Sequence, residues 1–170
     1  MRELSAVKSL LNDSMRERLA YHEAGHALVG HWLQLGAAER VTTEPRGQAL
    51  GVTCISRGTE DPLYAQAELS NHLAMMLGGR EAELPVKGNV SSGASDDLKR
   101  ASELAISMVG SLDFSKTFGL LRVAGVPKEL LGPDIQAAVL QEARAMLEQA
   151  QAQCEPLLTS QRWQLDALAQ

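Results

Sequence analysis

The sequence predicts a mainly α-helical fold with a small β-hairpin or sheet beside its first long helix. Three observations predict it. Aromatic residues make up only 4% of the chain, so Leu, Ala and Met must fill the interior. A Pro-free run from Met15 to Leu35 carries apolar residues at helical spacing. The one β-branched stretch, Val41–Ser56, is divided by Pro45-Arg46-Gly47, which is turn chemistry.

The first helix is read from Ser14, which with Glu17 makes a capping-box pattern, to a stop at Gly36. Leu19, Ala24, Ala27, Leu28 and Val29 supply its buried side. Gly25 and Gly30 each weaken it by roughly 1 kcal/mol relative to Ala. Their expected use is the close approach of a neighbouring backbone, such as a strand. A lead-in helix is expected over Leu4–Leu11.

In the hairpin, Val41–Thr43 forms the first strand, and Leu50, Val52, Cys54 and Ile55 the second, with Gly51 admitting close backbone contact. Further on, Ser95 reads as an N-cap, with Asp96 and Asp97 in the first turn of an amphipathic helix to Val109. A looser stretch follows over Asp113–Lys128. Gly132-Pro133-Asp134 starts a helix whose Ile135, Val139, Glu142 and Met146 share a stripe. Pro156 is expected to stop or kink it. Thr159 or Ser160 would then cap a last helix holding Trp163, Leu165 and Leu168.

Chemistry concentrates in the first helix. His22, Glu23 and His26 stand in H-E-x-x-H spacing. Residues four apart share a helix face, so two imidazoles can meet one zinc ion. The adjacent glutamate is then placed to act as base toward an attacking water. Zinc of this kind needs a third protein ligand and an open fourth position. His31 lies five residues past His26 and points off that stripe, and His72 sits in an apolar helical pattern and reads as structural. Asp96 and Asp97 are candidates, although acidic residues in a first turn are also ordinary helix chemistry.

These segments carry a family resemblance. YHEAGHALVG (Tyr21–Gly30), VTTEPRGQALGVT (Val41–Thr53), ED (Glu60–Asp61), LGGREAE (Leu77–Glu83), SSGASDDLKRASELA (Ser91–Ala105), MVGSLDFS (Met108–Ser115) and LLTSQRWQLDALA (Leu157–Ala169) occur in order. Together they resemble the peptidase domain of the FtsH-type, membrane-anchored AAA+ zinc metalloproteases, from about Arg18 onward. The resemblance implies an FtsH-protease-like helical domain that is a Zn2+-dependent endopeptidase. It implies metal ligands at His22, His26 and Asp97 and a catalytic Glu23. Asp97 matches the family's aspartate in G-A-S-N-D-L/I, with Asp96 in the usual Asn position. Glu83 matches a carboxylate near the metal helix and is a candidate to support it; its simpler reading is a local pair with Arg80. The strand around Gly51, Val52 and Thr53 would take an unfolded polypeptide substrate along its edge. Residues 1–118 would form the zinc peptidase core and 119–170 a C-terminal helical part of the same domain.

Composition bounds the partners. The net charge is −5 with no basic stripe, which argues against nucleic acid. Cys54 and Cys154 lack C-x-x-C spacing, which favours a reducing compartment. No apolar run reaches the about 18 residues of a membrane helix, and no signal peptide is visible, so a cytoplasmic protein is expected. No G-x-x-x-x-G-K-[ST] phosphate loop occurs, so no ATPase activity of its own is expected. The chain is then an excised domain or a stand-alone relative. Its expected assembly is a homo-oligomer (a hexamer in the family) or a complex with an ATPase in trans. A catalytically silent homologue that binds or regulates an FtsH-type ring is the competing reading. The family's helical C-terminal part helps assemble the ring; here the linker before it is short.

Overall fold

The computed structural model describes residues 12–42, 52–56 and 63–170. The expected lead-in helix, the Pro45-Arg46-Gly47 turn, Leu50 and Gly51 lie outside these residues. Helix α1 spans Asp13–Trp32. Its cap is Asn12, whose side chain accepts from the Met15 N–H at 2.9 Å. Ser14 is already inside the helix, so the capping-box reading there is corrected: Asn12 has the extended backbone that a cap requires. The helix also ends before Gly36. The Gln34 N–H bonds to the His31 carbonyl at 3.1 Å, and the Leu35 N–H to that of Gly30 at 3.0 Å. This pair of bonds closes the helix as a Schellman motif, and the left-handed position falls on Gln34 (φ 56°).

Strands β1 (Ala37–Thr42) and β2 (Val52–Ser56) pair antiparallel, with a register shift between Ala38 and Arg40. Both run beside α1. The first strand begins at Ala37, four residues ahead of the β-branched run.

Helix α2 spans Gln66–Lys87 and α3 spans Ser95–Gly110. The Glu68 carboxylate accepts from the Ala65 N–H at the start of α2, and Gly88 closes it with φ 70°. Ser95 does not cap α3. It is the first residue of that helix, entered from a 3₁₀ turn over Ser92–Ala94, and Ser91 caps the turn. Helix α4 runs over Pro133–Ser160 and passes through Pro156 without stopping. The break comes at Gln161, and α5 (Arg162–Leu168) follows with no side-chain cap. Thr159 and Ser160 remain within α4 because the chain leaves helical geometry only at Gln161.

The core lies where α1 to α5 meet. Val29, Leu73, Met108, Val109, Cys154, Leu158 and Leu165 are at most 2% exposed. One apolar cluster joins residues on both sides of position 118. Burying a Leu or Val side chain contributes about 1.5–3 kcal/mol, so this cluster outweighs any single cap. Among the described residues, no helix is long and apolar enough to cross a membrane.

The crossing of α1 and α2 sets the site. A Cβ on Gly25 would strike the Gly78 carbonyl and Ala82, and one on Gly78 would lie 2.9 Å from the Gly25 oxygen. Gly25 therefore admits a helix backbone rather than the expected strand. Farther along, α5 is tied down by Tyr21, whose hydroxyl donates to Asp166 at 3.0 Å. Arg162 donates to Asp166 at 2.7 Å and to the Pro85 carbonyl at 2.9 Å.

Candidate metal centre between two helices

Two stripes of residues face each other across the α1–α2 crossing. Arg18, His22 and His26 follow one another at single-turn spacing on α1, and Met75, Gly79 and Glu83 do so on α2. The stripes run in opposite directions, so Arg18 meets Glu83 while His26 meets Met75. The Met75 carbonyl faces His26 Nδ1 at 2.8 Å, and Glu83 Oε1 faces His22 Nδ1 at 3.0 Å. A carbonyl accepts only, and so does an ionised carboxylate. Both Nδ1 atoms therefore carry the proton, and both Nε2 lone pairs turn the other way.

Those two Nε2 atoms converge at 3.1 Å. Asp97, from the first turn of α3, brings Oδ2 to 3.2 Å from His22 Nε2 and 3.3 Å from His26 Nε2. Asp96 beside it is exposed. Ligand atoms about 2.0–2.2 Å from a tetrahedral zinc stand about 3.3–3.6 Å from one another. The three atoms are thus spaced close to one face of such a tetrahedron. Two imidazoles and a carboxylate are also a donor set that zinc accepts. The residues present fit the ion, and among the described residues they form the metal-competent cluster.

Electrostatics reinforce the arrangement. Burial opposes charge on His22, but hydrogen bonds to Asp97 and Glu83 outweigh it and hold the imidazole above its ordinary value. Burial would raise Asp97, yet the two imidazoles hold its carboxyl well below the usual carboxylate range. A cation at the centre satisfies all three lone pairs at once, whereas without it they share protons. Glu23, next to His22, is buried at 6% exposure, and its charge helps to raise His22.

Glu83 is itself held on all sides. It is 1% exposed and accepts from Arg18 at 2.6 Å, from the Ser91 N–H at 2.8 Å and from the Ser91 hydroxyl at 2.9 Å. Arg18 also donates to the Asn89 carbonyl and to its side chain. Burial works against the carboxylate, but Arg18, His22 and Ser91 together keep it below its ordinary range. The simple reading of Glu83 as a partner of Arg80 is corrected, since Arg80 pairs with Glu81. His31 is exposed, and His72 packs edge-on against Tyr64 with ring centroids 5.9 Å apart.

A family model described as peptidase family M41 matches residues 9–170. The chain belongs to peptidase family M41. It is 36% identical over 175 residues to the ATP-dependent zinc metalloprotease FtsH of Thermobaculum terrenum, covering 96% of this chain and 27% of that one. It is 38% identical over 173 residues to the protein of the same name from Methylococcus capsulatus, covering 94% and 27%. A third relative, ATP-dependent zinc metalloprotease FtsH 3 of Conexibacter woesei, is 36% identical over 173 residues, covering 95% and 23%. The chain thus spans roughly a quarter of the length of these M41 relatives.

Several residues of this M41 chain that shape the cluster were not singled out from sequence. Arg18, Ser91 and the Met75 carbonyl act on residues far away in the chain. Only Arg18 left a trace, through its spacing of one turn from His22.

Proposed function

We propose that this chain is a zinc-dependent endopeptidase, with His22, His26 and Asp97 as the metal ligands and Glu23 as the general base. The observation that carries the reading is the near-equilateral triangle of two Nε2 atoms and Asp97 Oδ2, 3.1–3.3 Å on a side. Membership of a peptidase family and relatives named as zinc metalloproteases support it. Zinc, when bound, supplies Lewis acidity and makes a nearby water acidic at neutral pH. The remaining work falls to the chain. His22 and His26 hold their Nε2 lone pairs inward because Glu83 and Met75 fix the opposite nitrogens. Glu23 takes the proton of the attacking water and delivers it to the departing amine nitrogen.

The substrate is an unfolded polypeptide, laid as an extra strand along β2 beside α1, with Val52 and Thr53 as its backbone partners. Recognition through main-chain hydrogen bonds tolerates many sequences, which suits an endopeptidase of broad range. Folded substrates would have to be delivered by an ATPase module, such as a partner acting in trans.

The test is hydrolysis of casein by the zinc-loaded chain and by its Glu23→Gln variant. Cleavage by the parent alone supports the proposal. If zinc is bound at one equivalent and neither protein cleaves, the reading shifts to a silent homologue that binds or regulates a protease ring.

A further inference from the structure

Gly79 occupies the middle of the α2 stripe, inside a helix where alanine would normally be preferred. A Cβ built on Gly79 would lie 2.5 Å from His26 Nε2 and 2.7 Å from both Nε2 and Cδ2 of His22. Its neighbour Gly78 faces backbone and Val29, so that glycine belongs to the helix crossing. Gly79 is different: the three nearest atoms are all imidazole atoms of the candidate ligands. Side-chain rings can swing away where a backbone cannot. A methyl group at position 79 is therefore accommodated by displacing both rings from the positions in which their lone pairs converge.

We infer that Gly79 is the residue that makes room for the two coordinating imidazoles, so that any side chain there uncouples folding from metal binding. This rests on the zinc reading proposed above. The fold tolerates Gly79→Ala, because α2 gains helix propensity while the rings rotate. Metal binding does not tolerate it, because the Nε2–Nε2 distance of 3.1 Å cannot be kept. Loss of a group that only orients ligands costs about 10–100-fold in metal affinity. Displacing both ligands at once should cost at least the upper end of that range.

The experiment is zinc titration of the metal-free chain against a competing chromophoric chelator, for the parent and Gly79→Ala. Melting of both metal-free proteins is followed by circular dichroism. The expected result is one tight equivalent in the parent, binding weakened about 100-fold or more in the variant, and a similar melting temperature. Equal affinity in the two proteins overturns the inference and leaves the zinc reading standing. No zinc uptake by the parent overturns the zinc reading itself. If Gly79→Ala melts early, comparison of the triple variant Gly79→Ala/His22→Ala/His26→Ala with His22→Ala/His26→Ala decides, because both rings that the methyl would strike are then absent. Equal melting of those two variants locates the conflict at the rings, and a lower melting temperature in the triple variant overturns the inference.

Discussion

His22 Nδ1 donates to Glu83 Oε1 at 3.0 Å, and these two residues are separated by 61 positions in the chain. Glu83 receives its charge partner, Arg18, from the same helix as His22, one turn earlier. The order Arg18–Glu83–His22 therefore links a partly exposed cation to the ring that faces the candidate metal position.

Breaking this chain at Arg18 leaves a buried carboxylate without its counter-charge. Arg18→Met should destabilise the protein by about 3 kcal/mol, the low end for a broken buried ion pair. Arg18 keeps 24% of its side chain in water, which places it at that end. Glu83→Gln, which retains shape and loses charge, should weaken zinc binding about 10–100-fold. Urea unfolding measures the first and chelator competition the second. A Glu83→Gln protein with parental zinc affinity would show that the carboxylate does not orient His22.

Two glycines in helices should respond to alanine with opposite signs. Gly25→Ala forces a Cβ against the Gly78 carbonyl and Ala82, where α1 and α2 cross. Overpacking of this kind costs about 1–3 kcal/mol. Nothing lies within 4 Å of the Cβ position at Gly110, the last residue of α3. Gly110→Ala should stabilise by about 0.4–1 kcal/mol through the unfolded chain. Thermal melts of the two variants test the contrast, and a shared sign would contradict it.

Acid sensitivity should have a component from Glu142. Burial would raise this carboxyl, but bonds from the Ser115 hydroxyl, the Lys116 N–H and Thr117 outweigh it and hold it below its ordinary 4.5. The unfolded chain then takes up the proton first as pH falls. Glu142 contributes fully above about pH 4.5 and loses its contribution as pH drops toward the lower folded value. Glu142→Gln should therefore melt lower than the parent at pH 6 and show a shallower decline from pH 5 to 3. Parallel acid limbs in the two proteins would refute the assignment.

The Cys154 thiol should be inert while the protein is folded. Burial, aided by the Glu81 charge, pushes it up to about 12, and it donates to the Ala74 carbonyl at 3.1 Å. Iodoacetamide at pH 8 should leave Cys154 unmodified in buffer and modify it fully in urea, as read by peptide mapping. Rapid labelling in buffer would mean that α4 opens locally.

The positions of α1, α3, α4 and α5 were legible because apolar periodicity and Pro or Gly punctuation are local signals, whereas α2 was given no range from sequence. Helix ends were less legible. Asn12 rather than Ser14 caps α1, and Gln34 rather than Gly36 takes the left-handed turn, since several residues nearby could satisfy the same backbone groups. Pro156 sits inside α4, where burial of Cys154 and Leu158 on either side favours an unbroken helix.

What the sequence alone determined is whatever one turn of helix can hold. The spacing of His22 and His26 puts two imidazoles on one face before any packing occurs, and the motif order carries the family. Tertiary structure decided the rest. It joined Asp97 to His22 across 75 positions, chose Arg18 over Arg80 as the partner of Glu83, and set Gly79 against the rings. The reason is physical: helical geometry is periodic in sequence, whereas the crossing of α1 over α2 depends on which surfaces pack closely enough to exclude water.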